Sequence, residues 1–294
     1  MYNNLPPNAH VTQLPIAHAS AIIQPMNQIK NLILDMDGVL WRGDVPMPGL
    51  AEFFETMQQR GIGVVMATNN ASKTPQQYVA KLAKFGVTVS EAQIFTSAEA
   101  TGDYLQRTYE PGAKAFVVGD VGLQTAVRSR NFQLLSVEEV MGGETAVFVV
   151  AGFNPNATYP QMAAGALLIH KGADFIGTNP DLTFPSEYGP LPGAGSFLAF
   201  LQAATGVEPV VIGKPGPLIF QMAMEKLGGT PQNTAMVGDR LETDIAGGKA
   251  AGIQTILVLS GISQRDDVAQ ANGLQPDFIV QDINDIRRNF TKEQ

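Results

Sequence analysis

From residue 31 onward the chain alternates short apolar runs with helix-like stretches, and this alternation restricts its fold more than any other feature. Strand-like runs fall at 32–34, 62–67, 116–118, 147–150, 175–176, 210–212, 235–237 and 255–259. Between them lie amphipathic stretches such as 75–85, where Tyr78, Leu82 and Phe85 share one helical face. Thr74 before Pro75 reads as an N-cap followed by proline at the first helical position. A second helix is expected over 217–227, stopped by Gly228 and Gly229. Strands alternating with helices predict an α/β fold, a parallel sheet covered on both faces. The 294 residues leave room for two domains. The stretch 98–206 has its own strand–helix alternation and separates segments of one sheet, so it reads as an inserted α/β domain. That assigns 28–97 and 207–294 to the core. Residues 1–27, with Pro6, Pro7, Pro15 and Pro25 among scattered Asn and Gln, read as an extended arm.

Composition narrows the chemistry. There is no cysteine, which excludes thiolate catalysis, disulfides and Cys-ligated metals. The three histidines, His10, His18 and His170, have no metal-ligand spacing, which argues against a zinc site or a His-based triad. A formal charge of −8 argues against nucleic-acid or anionic-membrane partners, since both require basic patches. No apolar run approaches a membrane span, and the first 30 residues, with Lys30 as their single lysine or arginine, do not read as a secretory signal. The chain therefore reads as cytoplasmic. Demanding chemistry is left to carboxylates, hydroxyls, lysine and a hard metal ion.

Four apolar runs end in reactive residues. After Leu32, Ile33 and Leu34 come Asp35 and Asp37, followed by Gly38. The i, i+2 spacing of an extended segment turns both acids to one side, and carboxyl ends of parallel strands are where α/β sheets bind ligands. One acid can then serve as nucleophile and metal ligand while the other handles protons. A plain Asp-Gly turn explains the same residues equally well. Thr68, Asn69 and Asn70 follow the run at 62–67: a hydroxyl and backbone amides suited to phosphate oxygens, or simply a turn rich in asparagine. Gly213-Lys214-Pro215 places an ammonium at a sheet edge, or a solvated lysine. Gly238-Asp239 with Thr243-Asp244 offers two more acids, or a capped helix.

Taken in this order, each at a strand end, the four segments resemble the motifs of the haloacid dehalogenase superfamily of phosphohydrolases. Asp35-Met36-Asp37-Gly38-Val39-Leu40-Trp41 with Pro48-Gly49, Thr68-Asn69-Asn70, Gly213-Lys214-Pro215 and Gly238-Asp239 with Thr243-Asp244 fit its branch with a type-two α/β cap. That branch includes nitrophenyl-phosphate, phosphoglycolate, nucleotide and sugar-phosphate phosphatases. Gly177-Thr178-Asn179-Pro180-Asp181 and Pro192-Gly193-Ala194-Gly195-Ser196 are similar to its cap segments, whereas Asn154 stands where an acid is expected. The resemblance spans 31 to about 285.

The resemblance implies a Rossmann-like parallel-sheet core with an inserted cap, and a phosphatase working on small phosphomonoesters through an aspartyl-phosphate. It makes Asp35 the nucleophile and Asp37 the acid and base. Thr68 with the amides of Asn69 and Asn70 would hold the phosphoryl group, and Lys214 would neutralise its charge. The implied cofactor is Mg2+, held by Asp35, the carbonyl of Asp37, Asp239 and Asp244. Specificity would lie in the cap at Asn179, Asp181, Phe184 and Tyr188, although Phe184 reads equally as interdomain packing, and Trp41 reads as packing. The implied partner is a small phosphorylated metabolite, and caps of this type can form subunit contacts, which allows a homodimer. A phosphotransferase or mutase would keep the same core residues, and a non-catalytic phosphate sensor is the binding-module alternative.

Overall fold

The computed structural model describes residues 26–291 with the exception of Glu187 and Asn272, so the arm expected over 1–27 lies almost wholly outside the described residues. Six parallel strands form the core sheet in the order Phe278–Val280, Gln254–Val258, Thr234–Gly238, Asn31–Leu34, Gly63–Thr68, Ile94–Thr96. The first strand in sequence lies inside the sheet, with neighbours drawn from distant parts of the chain. The strand order reverses beside it, and open α/β sheets leave a ligand crevice at such a point.

Asn31–Leu34 is buried along its whole length, as a strand covered on both faces must be. Leu32 and Leu34 pack into a cluster with Phe53, Met57, Tyr78 and Ile286, while Ile33 joins Val65, Phe220 and Met236 on the other face. This is the two-residue alternation of an extended chain. The expected helices form as Pro75–Lys84, opened by a Thr74–Gln77 capping box, and Pro217–Lys226.

The inserted domain holds five parallel strands in the order Val210–Val211, Asp174–Gly177, Phe148–Ala151, Lys114–Val118, Gln133–Leu134. One face of this sheet packs Phe116 and Val149 against Leu168, Leu198 and Leu201 of the helices Tyr159–His170 and Ala194–Thr205. On the other face, Val117 and Val150 belong to the same continuous apolar cluster as Ile33 and Val65 of the core. The helices Ser97–Thr108, Val121–Ser129 and Pro217–Lys226 carry that cluster between the two sheets. The cap is thus seated on the core by shared apolar packing. Its sheet closes with Val210–Val211, so it runs past the boundary expected at 206.

A short antiparallel hairpin, Thr183–Ser186 with Gly189–Pro192, occupies part of the cap segment expected to hold the specificity residues. Pro185 pairs in register with Pro190 there. Proline donates no ladder hydrogen bond, which confines such strands to edges and hides them from a pattern reading. Among the described residues no helix is long and apolar enough to cross a membrane.

Candidate active site

The central strand hands its ladder on to Asp35, whose backbone N–H donates to the Val237 carbonyl at 2.8 Å. The chain then turns sharply. Gly38 has φ +84° and donates to the Trp41 carbonyl at 2.7 Å. A side chain on Gly38 would be strained at that φ, and its Cβ would lie 2.3 Å from Asp239 Oδ2. The loop after Asp35 and the Asp239 carboxylate can therefore approach only because this residue is glycine. Asp35 ends up almost buried and Asp37 exposed, both on the same cleft, as the i, i+2 spacing predicts.

Thr68 closes the strand Gly63–Thr68 and is buried, its hydroxyl accepting from the Asn70 amide at 3.2 Å. The Asn70 side-chain oxygen accepts from the Ser72 amide and hydroxyl and holds the turn. Asn69 is engaged differently. Its side chain accepts from the Lys214 amide at 2.8 Å and donates to the Lys214 carbonyl at 2.9 Å and to Asp181 of the cap at 3.0 Å. One amide thereby ties three of the expected segments together, and its side chain is committed to that bridge.

Lys214 is 2% exposed. Its ammonium donates to Asp35, to Asp244 at 2.7 Å and to the Ala67 carbonyl at 3.3 Å. Burial alone would lower its pKa, but the carboxylates of Asp244 and Asp35 override this and hold it above the usual lysine value. Asp239 follows the strand Thr234–Gly238 and accepts from the Ile262 amide at 2.8 Å. Asp244 lies in a π-helical turn, Leu241–Ile245, and accepts from the Arg240 amide at 3.1 Å. Single π turns of this kind recur at functional sites.

Asp35, Asp239 and Asp244 each place an oxygen within 4.8 Å of the others. Burial pushes Asp35 up to about 8, opposed by Lys214 and reinforced by Asp244 and Asp239. Burial, with the Asp244 charge, pushes Asp239 up to about 6. Three close carboxylates facing one ammonium leave uncompensated negative charge, and their hard oxygens suit Mg2+. The donor set fits the implied metal.

A cleft of about 740 Å³ opens over these groups. The core contributes Asp35, Asp37, Thr68, Asn69, Asn70, Lys214, Asp239 and Asp244, and the cap contributes Asn179, Asp181 and Phe184. Two expected cap ligands are engaged by the core: Asn179 donates to the Asn69 carbonyl at 2.7 Å, and Asp181 accepts from the Asn69 side chain. Tyr188 lies outside the cleft lining; it is 84% exposed at the hairpin turn. Asn154, the departure from the expected pattern, forms a turn with the Asn156 amide and donates to Gln161, away from the acids.

Sequence reading passed over Phe153, which follows the cap strand Phe148–Ala151 and lines the cleft with Phe184, ring centroids 4.8 Å apart and edge to face. Its position just past a strand end was the available signal. Arg42 and Arg240 also line the cleft. The Arg42 guanidinium donates to the Ser260 carbonyl.

The chain matches the family described as haloacid dehalogenase-like hydrolase over residues 32–133 and a related HAD-like hydrolase family over 211–286. The 5'-nucleotidase YutF of Bacillus subtilis is 38% identical over 241 residues, 82% of this chain and 91% of that one. An acid sugar phosphatase of Staphylococcus aureus is 36% identical over 260 residues, 88% and 97% of the two chains. Among solved structures, a glycerol phosphate phosphatase from Mycobacterium tuberculosis in complex with magnesium superposes with TM-score 0.80 at 30% identity, covering 91% of this chain and 78% of that one. The chain belongs to the haloacid dehalogenase-like hydrolases, in the branch of phosphoric monoester hydrolases with an inserted α/β cap.

Proposed function

We propose that the chain is a Mg2+-dependent phosphatase of small phosphomonoesters that works through an aspartyl-phosphate on Asp35. One observation carries this reading: the Lys214 ammonium bridges Asp35 and Asp244 at the floor of a cleft that Asp37 also faces. In the first step an Asp35 oxygen bonds to phosphorus while the bond to the leaving oxygen breaks. Asp37 gives that oxygen its proton. In the second step water attacks the same phosphorus, Asp37 takes the proton, and the bond to Asp35 breaks. Lys214 keeps Asp35 placed and offsets charge on the transferring group. Asp35, Asp239, Asp244 and the Asp37 carbonyl would hold Mg2+, which would further neutralise charge on the phosphoryl oxygens.

The relatives act on a nucleotide, a sugar phosphate and glycerol phosphate by name, so the core does not select the leaving group. The cap side of the cleft does, with Phe153 and Phe184 offering an aromatic wall. Phe153→Ala is expected to lower kcat/KM for p-nitrophenyl phosphate and a nucleoside monophosphate by about tenfold, the worth of one aromatic contact, and to change that for glycerol phosphate little. Equal loss on all three would assign Phe153 to packing.

The direct test is phosphate release. Purified protein should hydrolyse p-nitrophenyl phosphate with Mg2+, releasing nitrophenolate and phosphate in equal amounts, and should lose activity in EDTA. Persistent activity without metal would remove the metal from this account. Phosphate yield well below nitrophenolate would point to transfer onto another hydroxyl.

A further inference from the structure

Trp41 is fully buried beside Tyr78, ring centroids 6.3 Å apart and nearly parallel, and beside Phe85 at 6.1 Å. Packing alone does not account for the other edge of its ring. The indole Nε1–H donates to Asp37 Oδ1 at 2.7 Å. The turn that reverses the chain at Gly38 brings the two residues together, with an isolated bridge between Asp37 and Trp41. Above the same ring lies Lys81 Nζ, 4.5 Å from the centroid, anchored by donating to the Gly43 carbonyl at 2.7 Å. A cation over an indole face draws electron density from the ring and makes its N–H a stronger donor.

We propose that Trp41 is a positioning residue that fixes which oxygen of Asp37 carries the catalytic proton. This rests on Asp37 acting as the acid and base of the proposed reaction. An indole N–H only donates. The bond engages Oδ1 as an acceptor and leaves Oδ2 free to give the leaving oxygen its proton and later to take one from water. An exposed carboxylate would otherwise rotate and share its proton between two oxygens. The buried ring removes that freedom, so one oxygen faces the cleft in the reactive sense. Misplacing a proton donor by about an ångström costs about a hundredfold where the transfer matters.

The consequence depends on the leaving group. Nitrophenolate departs without a proton, whereas the alkoxide of glycerol phosphate needs one. Because kcat/KM covers only the steps through leaving-group departure, Trp41→Phe, which keeps a ring on Tyr78, should lower kcat/KM for glycerol phosphate by about 10- to 100-fold and for p-nitrophenyl phosphate by less than about threefold. Trp41 is the sole tryptophan, so its indole N–H gives a single 1H–15N resonance. Asp37→Ala should move that resonance upfield and speed its exchange with solvent, a readout that does not depend on activity or on Trp41→Phe folding. Equal losses on both substrates, or an indole resonance indifferent to Asp37→Ala, would overturn the proposal. Should Asp37→Asn leave glycerol phosphate turnover intact, the acid–base reading itself fails, and this inference with it.

Discussion

Asp35→Asn is expected to lower kcat by on the order of 10⁴-fold or more while leaving the fold intact. An amide oxygen is too weak a nucleophile to displace an alkoxide, so no smaller loss is compatible with covalent catalysis at this position. The structure also predicts what stays. The substituted amide keeps an oxygen to accept from Lys214, and the change removes a carboxyl that burial and its acidic neighbours already disfavour as an anion. The metal-free variant should melt at or above the wild-type temperature near pH 8, and lose most of the stabilisation Mg2+ gives the wild type. Calorimetry with and without Mg2+ checks both. Near-wild-type kcat in a well-folded Asp35→Asn protein would end the nucleophile assignment.

Lys214→Ala should damage turnover less than Asp35→Asn, but it should also cost stability. Removing the ammonium leaves Asp35 and Asp244 buried and facing Asp239 with no cation between them. Breaking a buried pair from one side costs about 3–5 kcal/mol. The pH dependence follows from the direction of the shifts. Asp35 and Asp239 both have folded values raised above 3.8, to about 8 and about 6, so the folded state holds protons that the unfolded state releases. Their contribution to the stability of the metal-free protein is therefore greatest at low pH and declines as pH rises through those values. Lys214 opposes that decline at Asp35, so its loss deepens it. The melting deficit of Lys214→Ala should be small near pH 5 and largest near pH 8, with Mg2+ restoring part of it. kcat should fall by about 10²–10³-fold. A deficit independent of pH would mean that the lysine supports packing, not the acid cluster.

The placement of the core residues was legible because each follows an apolar run whose strand character the sequence states openly. Asp35, Thr68 and Asp239 end strands of four to six residues with nearly every side chain buried. Ile94–Thr96 and Phe278–Val280, at the two edges of the core sheet, were not among the strands expected from sequence. The cap hairpin escaped because its prolines read as loop. Roles that depend on distant contacts were hidden for a different reason. Asn69 meets Lys214 and Asp181 across 145 and 112 residues of chain, so nothing local distinguishes its bridging side chain from a phosphate ligand. Asn179 and Asp181, expected to face the leaving group, are drawn to the core by the same residue. Trp41 and Asp37 are only four apart, but they meet through a turn closed by Gly38 with positive φ, not through a regular helix that spacing would reveal.

The covalent step is tested most directly with Asp37→Asn and p-nitrophenyl phosphate. Nitrophenolate needs no proton to leave, so the variant should form the aspartyl-phosphate, yet it lacks the base that directs water onto phosphorus. Rapid mixing should give a burst of about one nitrophenolate per active site, followed by turnover slowed about a hundredfold. Acid quench, borohydride reduction and peptide mass spectrometry should then find homoserine at position 35 and at no other aspartate. Slow turnover with no burst and an unmodified Asp35, or a reduced acyl phosphate at any other residue, would contradict the account.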